Sequence, residues 1–175
     1  MVNLSLDGSS QSVYEKVKKG SWDRVWSQLT DAAAAFPGRI RTHLIVGLGE
    51  RERDIAETVQ RCKDMGIGVG LFAFTPVKGT SLEDKPQPPL TSYRKLQAAV
   101  WLIEHKLTRA EQFYFDCRGC ITDFGISGDT LKSILRSGKA FETSGCPACN
   151  RPYYNESPRQ EPYNYPRPLT EDETK

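Results

Sequence analysis

The residues best suited to chemistry in this chain of 175 residues are four cysteines in its C-terminal third. They form two short pairs, Cys117-Arg118-Gly119-Cys120 and Cys146-Pro147-Ala148-Cys149. Two residues between cysteines allow both thiolates of one turn to bind the same metal, and the chain between the pairs is long enough to bring them together. The spacing predicts a four-cysteine centre holding either a 4Fe-4S cluster or zinc. Two disulfides, or unrelated thiols, are the alternatives, and short paired spacing disfavours them outside secreted proteins.

Composition is typical of a globular protein. Hydrophobic residues make up 38% of the chain and charged residues 26%, enough apolar material for a core. No signal peptide is recognisable, and no apolar run approaches the length of a bilayer span, so we expect a cytoplasmic protein without a membrane partner. The net charge of +2 argues neither for nor against a polyanionic ligand.

Strands and helices are predicted to alternate before the first cysteine pair. A helix that starts at a capping box of Ser12 and Glu15 follows the first strand, and another helix carries Ile55, Val59 and Cys62 on its apolar face. Strands are predicted at 2–6, 40–46 and 69–74, and further helices at 22–36, 91–107 and 128–137. This order predicts an α/β fold with parallel strands, either a barrel or a doubly wound sheet. Functional groups collect beyond the carboxyl ends of such strands, which are Asp7, residues 47–50 and residues 74–80.

Three segments in this order resemble strands four, five and six of biotin-synthase-like radical S-adenosylmethionine enzymes. They are Asn3-Leu4-Ser5-Leu6-Asp7, His43-Leu44-Ile45-Val46-Gly47-Leu48-Gly49-Glu50 and Leu71-Phe72-Ala73-Phe74-Thr75-Pro76-Val77-Lys78-Gly79-Thr80. The tail also resembles the C-terminal region of proteins related to the two-component lipoyl synthases, through Cys146-Pro147-Ala148-Cys149-Asn150-Arg151-Pro152-Tyr153-Tyr154-Asn155-Glu156 and Tyr163-Asn164-Tyr165-Pro166-Arg167-Pro168.

The resemblance implies the C-terminal half of a (βα)6 partial TIM barrel over residues 1–110, followed by a four-cysteine metal-binding extension over residues 111–175. It also implies an S-adenosylmethionine site: Asp7 would bind the ribose, Ile45 would pack on adenine, and the backbone of Phe74 and Thr75 would face the adenine edge. The remaining expected contacts are the loop residues Gly47, Gly49 and Glu50. Each residue also has a purely structural interpretation, as a turn cap, a first-turn helix carboxylate or part of the core.

One departure from the family pattern limits what this chain can do alone. Radical enzymes of this type hold their catalytic cluster with a Cys-x3-Cys-x2-Cys loop, but Cys62 is the only cysteine before Cys117. We therefore expect no catalytic residue here, an unpaired strand edge, and a partner that is either the N-terminal half of the barrel or a second radical subunit. The reaction implied is sulfur insertion, as by a lipoyl or biotin synthase, on a lipoyl carrier or a small molecule, with an auxiliary 4Fe-4S cluster on the four cysteines.

A zinc-ribbon binding or structural module without catalysis is the alternative from a different class. Arginines and tyrosines alternate in the tail, a pattern that could bind single-stranded nucleic acid. Acidic residues dilute that charge, so we instead expect the tyrosines to pack over the barrel mouth or the metal loop. We expect His43 and His105 to be structural and Cys62 to lie in the core.

Overall fold

A three-stranded parallel sheet organises the computed structural model, which describes residues 1–143, 160–170 and 172–173. The strands lie in the order β1-β2-β3 and are joined by helices, which confirms the α/β prediction. The elements are β1 (Val2–Asn3), α1 (Gln11–Lys18), α2 (Trp22–Ala35), β2 (Ile40–Val46), α3 (Glu52–Asp64), β3 (Gly68–Ala73), α4 (Leu90–Glu104), β4 (Tyr114–Phe115), β5 (Ile121–Asp123) and α5 (Gly128–Arg136). No helix in the described ranges is long and apolar enough to cross a membrane.

The start of α1 differs from the prediction. The cap is Ser10, whose hydroxyl accepts the Val13 amide at 3.4 Å, and Ser12 lies inside the helix. The hydroxyl of Ser10 satisfies one of the free amides of the first turn, which is the role predicted for Ser12. Ser21 caps α2 in the same way.

The first strand is shorter than predicted because a side chain replaces part of its backbone pairing. Thr42 is fully buried, and its hydroxyl donates to the Leu4 carbonyl at 2.7 Å and accepts the Leu6 amide at 3.0 Å. Regular pairing with β2 therefore ends at Asn3, and a single bridge between Asp7 and Leu44 resumes it. The inserted hydroxyl keeps the buried backbone groups satisfied while the chain turns away.

The sheet has two unlike faces. Along β2, buried side chains alternate with half-buried ones, whereas the sequence predicted a strand that becomes continuously buried. Ile40, Leu44 and Val46 belong to the main core, together with apolar residues of α2, α3 and α4. The opposite face carries Arg41, His43 and Ile45 and lies outside this main core. We call it the open face.

The part of the chain after α4 packs onto the same core. β4 and β5 form an antiparallel hairpin, and Phe113, Ile121 and Tyr163 join the main buried cluster. Of the tail tyrosines, Tyr163 and Tyr165 contact Tyr93 and Arg94 of α4. Tyr153 and Tyr154 lie outside the described residues, so for them the predicted packing over the barrel mouth or the metal loop stays a prediction. The ring of Tyr163 meets that of Tyr93 at 5.0 Å, and Arg94 donates to the carbonyl of Tyr163 at 2.6 Å.

Candidate cofactor and metal sites

Asp7 occupies a strained turn at the carboxyl end of the sheet. Its φ of 61° is uncommon for a residue other than glycine, and the Gly8 amide reaches back to the Leu6 carbonyl at 2.7 Å. Neighbouring strand bonds hold this conformation: the Asp7 amide donates to His43 O, and the Ile45 amide donates to Asp7 O, each at 2.8 Å. Strain that is fixed so firmly is typical of functional positions.

The carboxylate of Asp7 is paired with a lysine that the sequence did not suggest. Lys18 Nζ, in the last turn of α1, lies 2.6 Å from Asp7 Oδ2. The Asp7 side chain is 15% exposed and that of Lys18 is 37% exposed, so solvent reaches the pair. A ligand hydroxyl that donates to Asp7 would compete with Lys18.

Two of the three residues expected to contact adenine, Ile45 and Phe74, lie in one apolar cluster. Ile45 packs against buried Phe74, and α1 and the loops after β2 and β3 contribute the other members, Val13, Val17, Leu48 and Leu82. This brings the adenine-facing pair together beside Asp7. It also shows that Val13 and Val17 cover the surface on which a base would stack.

The loop after β2 is closed by its own glutamate. Glu50 Oε1 accepts the Gly47 amide at 2.6 Å, and Glu50 Oε2 is buried with no hydrogen-bond partner in the described structure. Gly47 has φ 104° and Gly49 has φ 124°, values that favour glycine. A Cβ at Gly47 would lie 3.0 Å from Pro88 Cδ. The loop and the proline-rich segment before α4 are therefore in close contact at this point.

A cavity of about 260 Å³ separates this loop from that proline-rich segment. Gly47, Gly49 and Glu50 line it, whereas Asp7, Ile45, Phe74 and Thr75 do not. Thr75 is exposed, and its hydroxyl accepts Gln87 Nε2 at 3.4 Å. The structure thus divides the seven predicted cofactor residues between the Asp7 turn with its apolar cluster, this cavity, and the exposed Thr75.

The first cysteine pair lies at the tip of the β4–β5 hairpin, as predicted for a metal-binding turn. Both thiols are free, with Cys117 exposed and Cys120 half-buried. Asp116 shapes the turn: its Oδ1 accepts the Cys120 amide at 2.8 Å and the Arg118 amide at 2.9 Å. The hydrogen bond from Cys120 is the main reason why the pKa of Asp116 is lowered. Two accessible thiols in one turn fit half of a four-thiolate centre for either zinc or iron and sulfide.

The second pair, Cys146 and Cys149, lies outside the described residues. Within the part of the chain that is described, no group of three or more metal-ligating side chains occurs. The four-cysteine centre therefore stays a prediction from spacing.

The hairpin is fixed to the start of α3. The carboxylate of Glu52, which is 7% exposed, accepts the Ile121 amide at 2.7 Å, Lys95 Nζ at 2.8 Å and the Ser92 hydroxyl at 2.6 Å. In addition, the Arg53 amide donates to the Gly119 carbonyl at 3.0 Å. No sequence pattern indicated these contacts, because Glu52 and Ile121 are 69 residues apart.

The open face carries His43, for which only a structural role was expected from the sequence. His43 Nδ1 lies 3.1 Å from the side-chain amide of Asn3, and the His43 ring meets Phe72 edge-on. Burial is the main reason why the pKa of His43 is lowered; Asp7 opposes the shift and Arg41 adds to it. The sequence could have indicated this position, because side chains alternate along a strand and His43 therefore lies on the same face as Ile45.

His105 and Cys62 were also expected to have structural roles, and both make packing contacts. The ring of His105 stacks on Trp101 at 3.9 Å, at the C-terminal end of α4. Cys62 is fully buried in the core, and burial raises the pKa of its thiol to about 12. Cys62 is therefore a core residue, whereas His105 lies on the exposed surface with its Nδ1 on the Trp101 carbonyl.

No protein-family model, curated protein or solved structure matches the chain. The resemblance to radical S-adenosylmethionine enzymes therefore remains a hypothesis, to be judged on the geometry above.

Proposed function

We propose that this chain is the C-terminal part of a radical S-adenosylmethionine iron–sulfur enzyme, a sulfurtransferase of the lipoyl or biotin synthase type. The observation that carries the proposal is the Asp7 turn at the carboxyl end of a parallel sheet. Asp7 has a strained backbone conformation and is bonded through its carbonyl to Ile45, a member of the apolar cluster that also contains Phe74. A carboxylate next to an apolar wall suits a nucleoside, because it can accept hydroxyl hydrogen bonds while the wall contacts the base.

The sheet supports a barrel segment as the finer description of the fold. Consecutive strands are neighbours, and α2, α3 and α4 contribute to the core on one face, whereas α1 meets the open face near the carboxyl end of β2, through Val13 and Val17 in the cluster with Ile45. A doubly wound sheet would need helices on both faces. We therefore interpret β1 to β3 as half of a (βα)6 partial barrel, with the open face toward its lumen.

A second set of strands is needed to cover that lumen. In the described structure β1 pairs with β2 alone, and its Val2 side chain is 52% exposed. An unpaired edge beside a half-buried face is a template for strand addition. The partner would be an N-terminal half-barrel or a second radical subunit carrying the Cys-x3-Cys-x2-Cys loop, in the cytoplasm, with a lipoyl carrier or a small molecule as substrate.

When bound, S-adenosylmethionine and its cluster supply carbon-radical chemistry. The residues of this chain would bind and orient. Asp7 would accept ribose hydroxyls in place of Lys18, and Ile45 and Phe74 would form the base-facing wall. Cys117 and Cys120 would hold half of an auxiliary 4Fe-4S cluster.

Zinc at the four cysteines is the second candidate, favoured by the hairpin itself. Its two thiols project from a turn whose backbone is fixed by Asp116, as in a structural site that does no chemistry. In that case the chain would be a binding or structural module.

Metal loading separates the two candidates. The full chain is purified without oxygen, reconstituted with iron and sulfide, and assayed for metal content and visible absorption. We expect bound iron and sulfide with broad visible absorption in the wild type and in Cys62→Ser, and loss of both in the Cys117→Ser/Cys120→Ser double variant. If the protein is colourless, contains stoichiometric zinc and binds no iron on reconstitution, the cluster assignment is wrong.

Nucleoside binding tests the other half of the proposal. The chain is mixed with a polypeptide carrying the Cys-x3-Cys-x2-Cys loop, and S-adenosylmethionine binding to the complex is measured by equilibrium dialysis. Asp7→Asn should weaken binding by about tenfold or more, because charge-assisted hydrogen bonds to the ribose are lost. Asp84→Asn, in an exposed loop, is the control. Equal binding by the Asp7 variant would contradict the ribose role.

A further inference from the structure

We infer that Glu52 is a positioning residue for the cysteine pair: its carboxylate holds the hairpin that presents Cys117 and Cys120. The inference rests on the proposed metal site. It concerns a residue that is not a ligand and that no cysteine spacing points to.

The carboxylate of Glu52 joins three elements at one point. Ser92 and Lys95 reach it from α4, and the Ile121 amide reaches it from β5, while Glu52 itself begins α3. The three distances lie between 2.6 and 2.8 Å, and the Ile121 bond is buried. Hydrogen bonds to a charged group are stronger than neutral ones and fix geometry more tightly.

The Ile121 bond acts directly on the metal-binding turn, since Ile121 follows Cys120 in the chain. A second contact, from the Arg53 amide to the Gly119 carbonyl, ties the middle of the turn to the same helix. Gly119 has φ 79°, and a Cβ there would lie 3.0 Å from the Arg51 side chain. The start of α3 and the cysteine turn therefore fit closely, and Glu52 is the charged member of the contact.

Loss of the carboxylate should loosen the turn more than the fold. Glu52 Oε2 accepts both the Ile121 amide and Lys95 Nζ, and Oε1 accepts the Ser92 hydroxyl. Glu52→Gln can keep its oxygen on Ile121 and Lys95 and turn its nitrogen toward the Ser92 hydroxyl, so the variant loses the negative charge that strengthens these bonds. Substitution of a residue that orients metal ligands typically lowers metal affinity by about 10- to 100-fold. We expect Glu52→Gln to bind metal at least tenfold more weakly than the wild type.

The test uses the full chain and two readouts. The first is titration with Co²⁺ as a spectroscopic probe, which gives the affinity and reports the thiolate ligands. The second is pulsed alkylation with mass spectrometry on the metal-free protein, which measures the reactivity of Cys117 and Cys120 separately. Glu57→Gln is the matched control, because Glu57 lies on an exposed position of the same helix.

The expected result is weaker Co²⁺ binding and several-fold faster alkylation of Cys120 in Glu52→Gln, with Glu57→Gln unchanged. If Glu52→Gln fails to fold, Lys95→Met is used instead, because it removes one partner of the Glu52 carboxylate. It should change the affinity and the alkylation rate in the same direction, by smaller factors. A variant with lowered melting temperature but wild-type affinity and alkylation would overturn the inference, leaving Glu52 a structural residue only. If the wild type binds no metal, the proposed metal site fails, while the alkylation rates still decide whether Glu52 positions the turn.

Discussion

The two faces of the sheet use the same three strands for different purposes. On the covered face, Leu44 and its neighbours are buried against three helices, so that face stabilises the fold. On the open face, a histidine hydrogen-bonded to Asn3 and an arginine are half-buried, and at its carboxyl end lie Asp7 and the apolar cluster. Alternation along β2 thus places core residues such as Leu44 and candidate binding residues such as Ile45 next to each other in the chain but on opposite faces.

The largest effect should come from opening a cavity on the covered face. Leu44 is fully buried, and Leu44→Ala should lower the free energy of unfolding by about 2–5 kcal/mol. Ile45→Ala, one residue along and on the other face, should cost clearly less because its side chain is only half-buried. Urea unfolding followed by circular dichroism measures both variants. Equal losses would mean that the open face is as much a part of the core as the covered face.

A smaller effect is expected where the covered face supports the Asp7 turn. Thr42→Val keeps the shape of the side chain but leaves the Leu6 amide and the Leu4 carbonyl without their buried partner. We expect a loss of about 1–3 kcal/mol in the free energy of unfolding, with faster hydrogen exchange at Leu6 and Asp7. Thr42→Ser retains the hydroxyl and should retain slow exchange at both amides. Slow exchange in the valine variant would show that the turn is held from the open face alone.

The smallest effect is a pH dependence that arises on the open face. Burial above all lowers the pKa of His43; Asp7 opposes and Arg41 assists the shift, so the folded state favours the neutral ring. The unfolded state then binds the proton more readily, and the contribution of His43 to stability, complete above its ordinary pKa of about 6.5, falls as pH drops toward the folded pKa. His43→Gln should therefore flatten the decline in unfolding free energy as the pH falls below the ordinary histidine pKa of about 6.5. Urea titrations at each pH test this, and an unchanged slope would assign the decline to other groups.

Local patterns in the sequence predicted the elements well. Apolar spacing placed α2 within a residue or two of its observed ends, and the predicted start of the helix at 91–107 lies one residue from the observed start of α4, which ends three residues earlier than predicted. The burial of β2 was predicted less well, since a run of apolar letters toward its end suggested burial on both faces. That run includes Ile45, which belongs to a separate cluster with residues of α1. Only the packing of the helices shows this.

The candidate site was predicted in part. The sequence pointed to Asp7, Ile45 and Phe74 through their positions at strand ends, and these three do lie together. It did not point to Lys18, Thr42 or Glu52. Capping was also misassigned by two residues, because Ser10 and Ser12 have the same chemistry and only the helix geometry decides which hydroxyl meets the free amide.

The sequence by itself determined the order of strands and helices from β1 to α4, the buried stripe of α2, and the two-residue spacing of the thiols, because these depend on residues close together in the chain. The β4–β5 hairpin was not predicted. Only the tertiary structure decided which groups meet across long separations. Asp7 meets Lys18 over 11 residues, Leu6 meets Thr42 over 36, and Glu52 meets Ile121 over 69. The Thr42 and Glu52 contacts join buried polar groups whose partners are fixed by the packing of the core, and the Asp7 contact depends on where α1 is placed against the sheet; no local pattern records that packing.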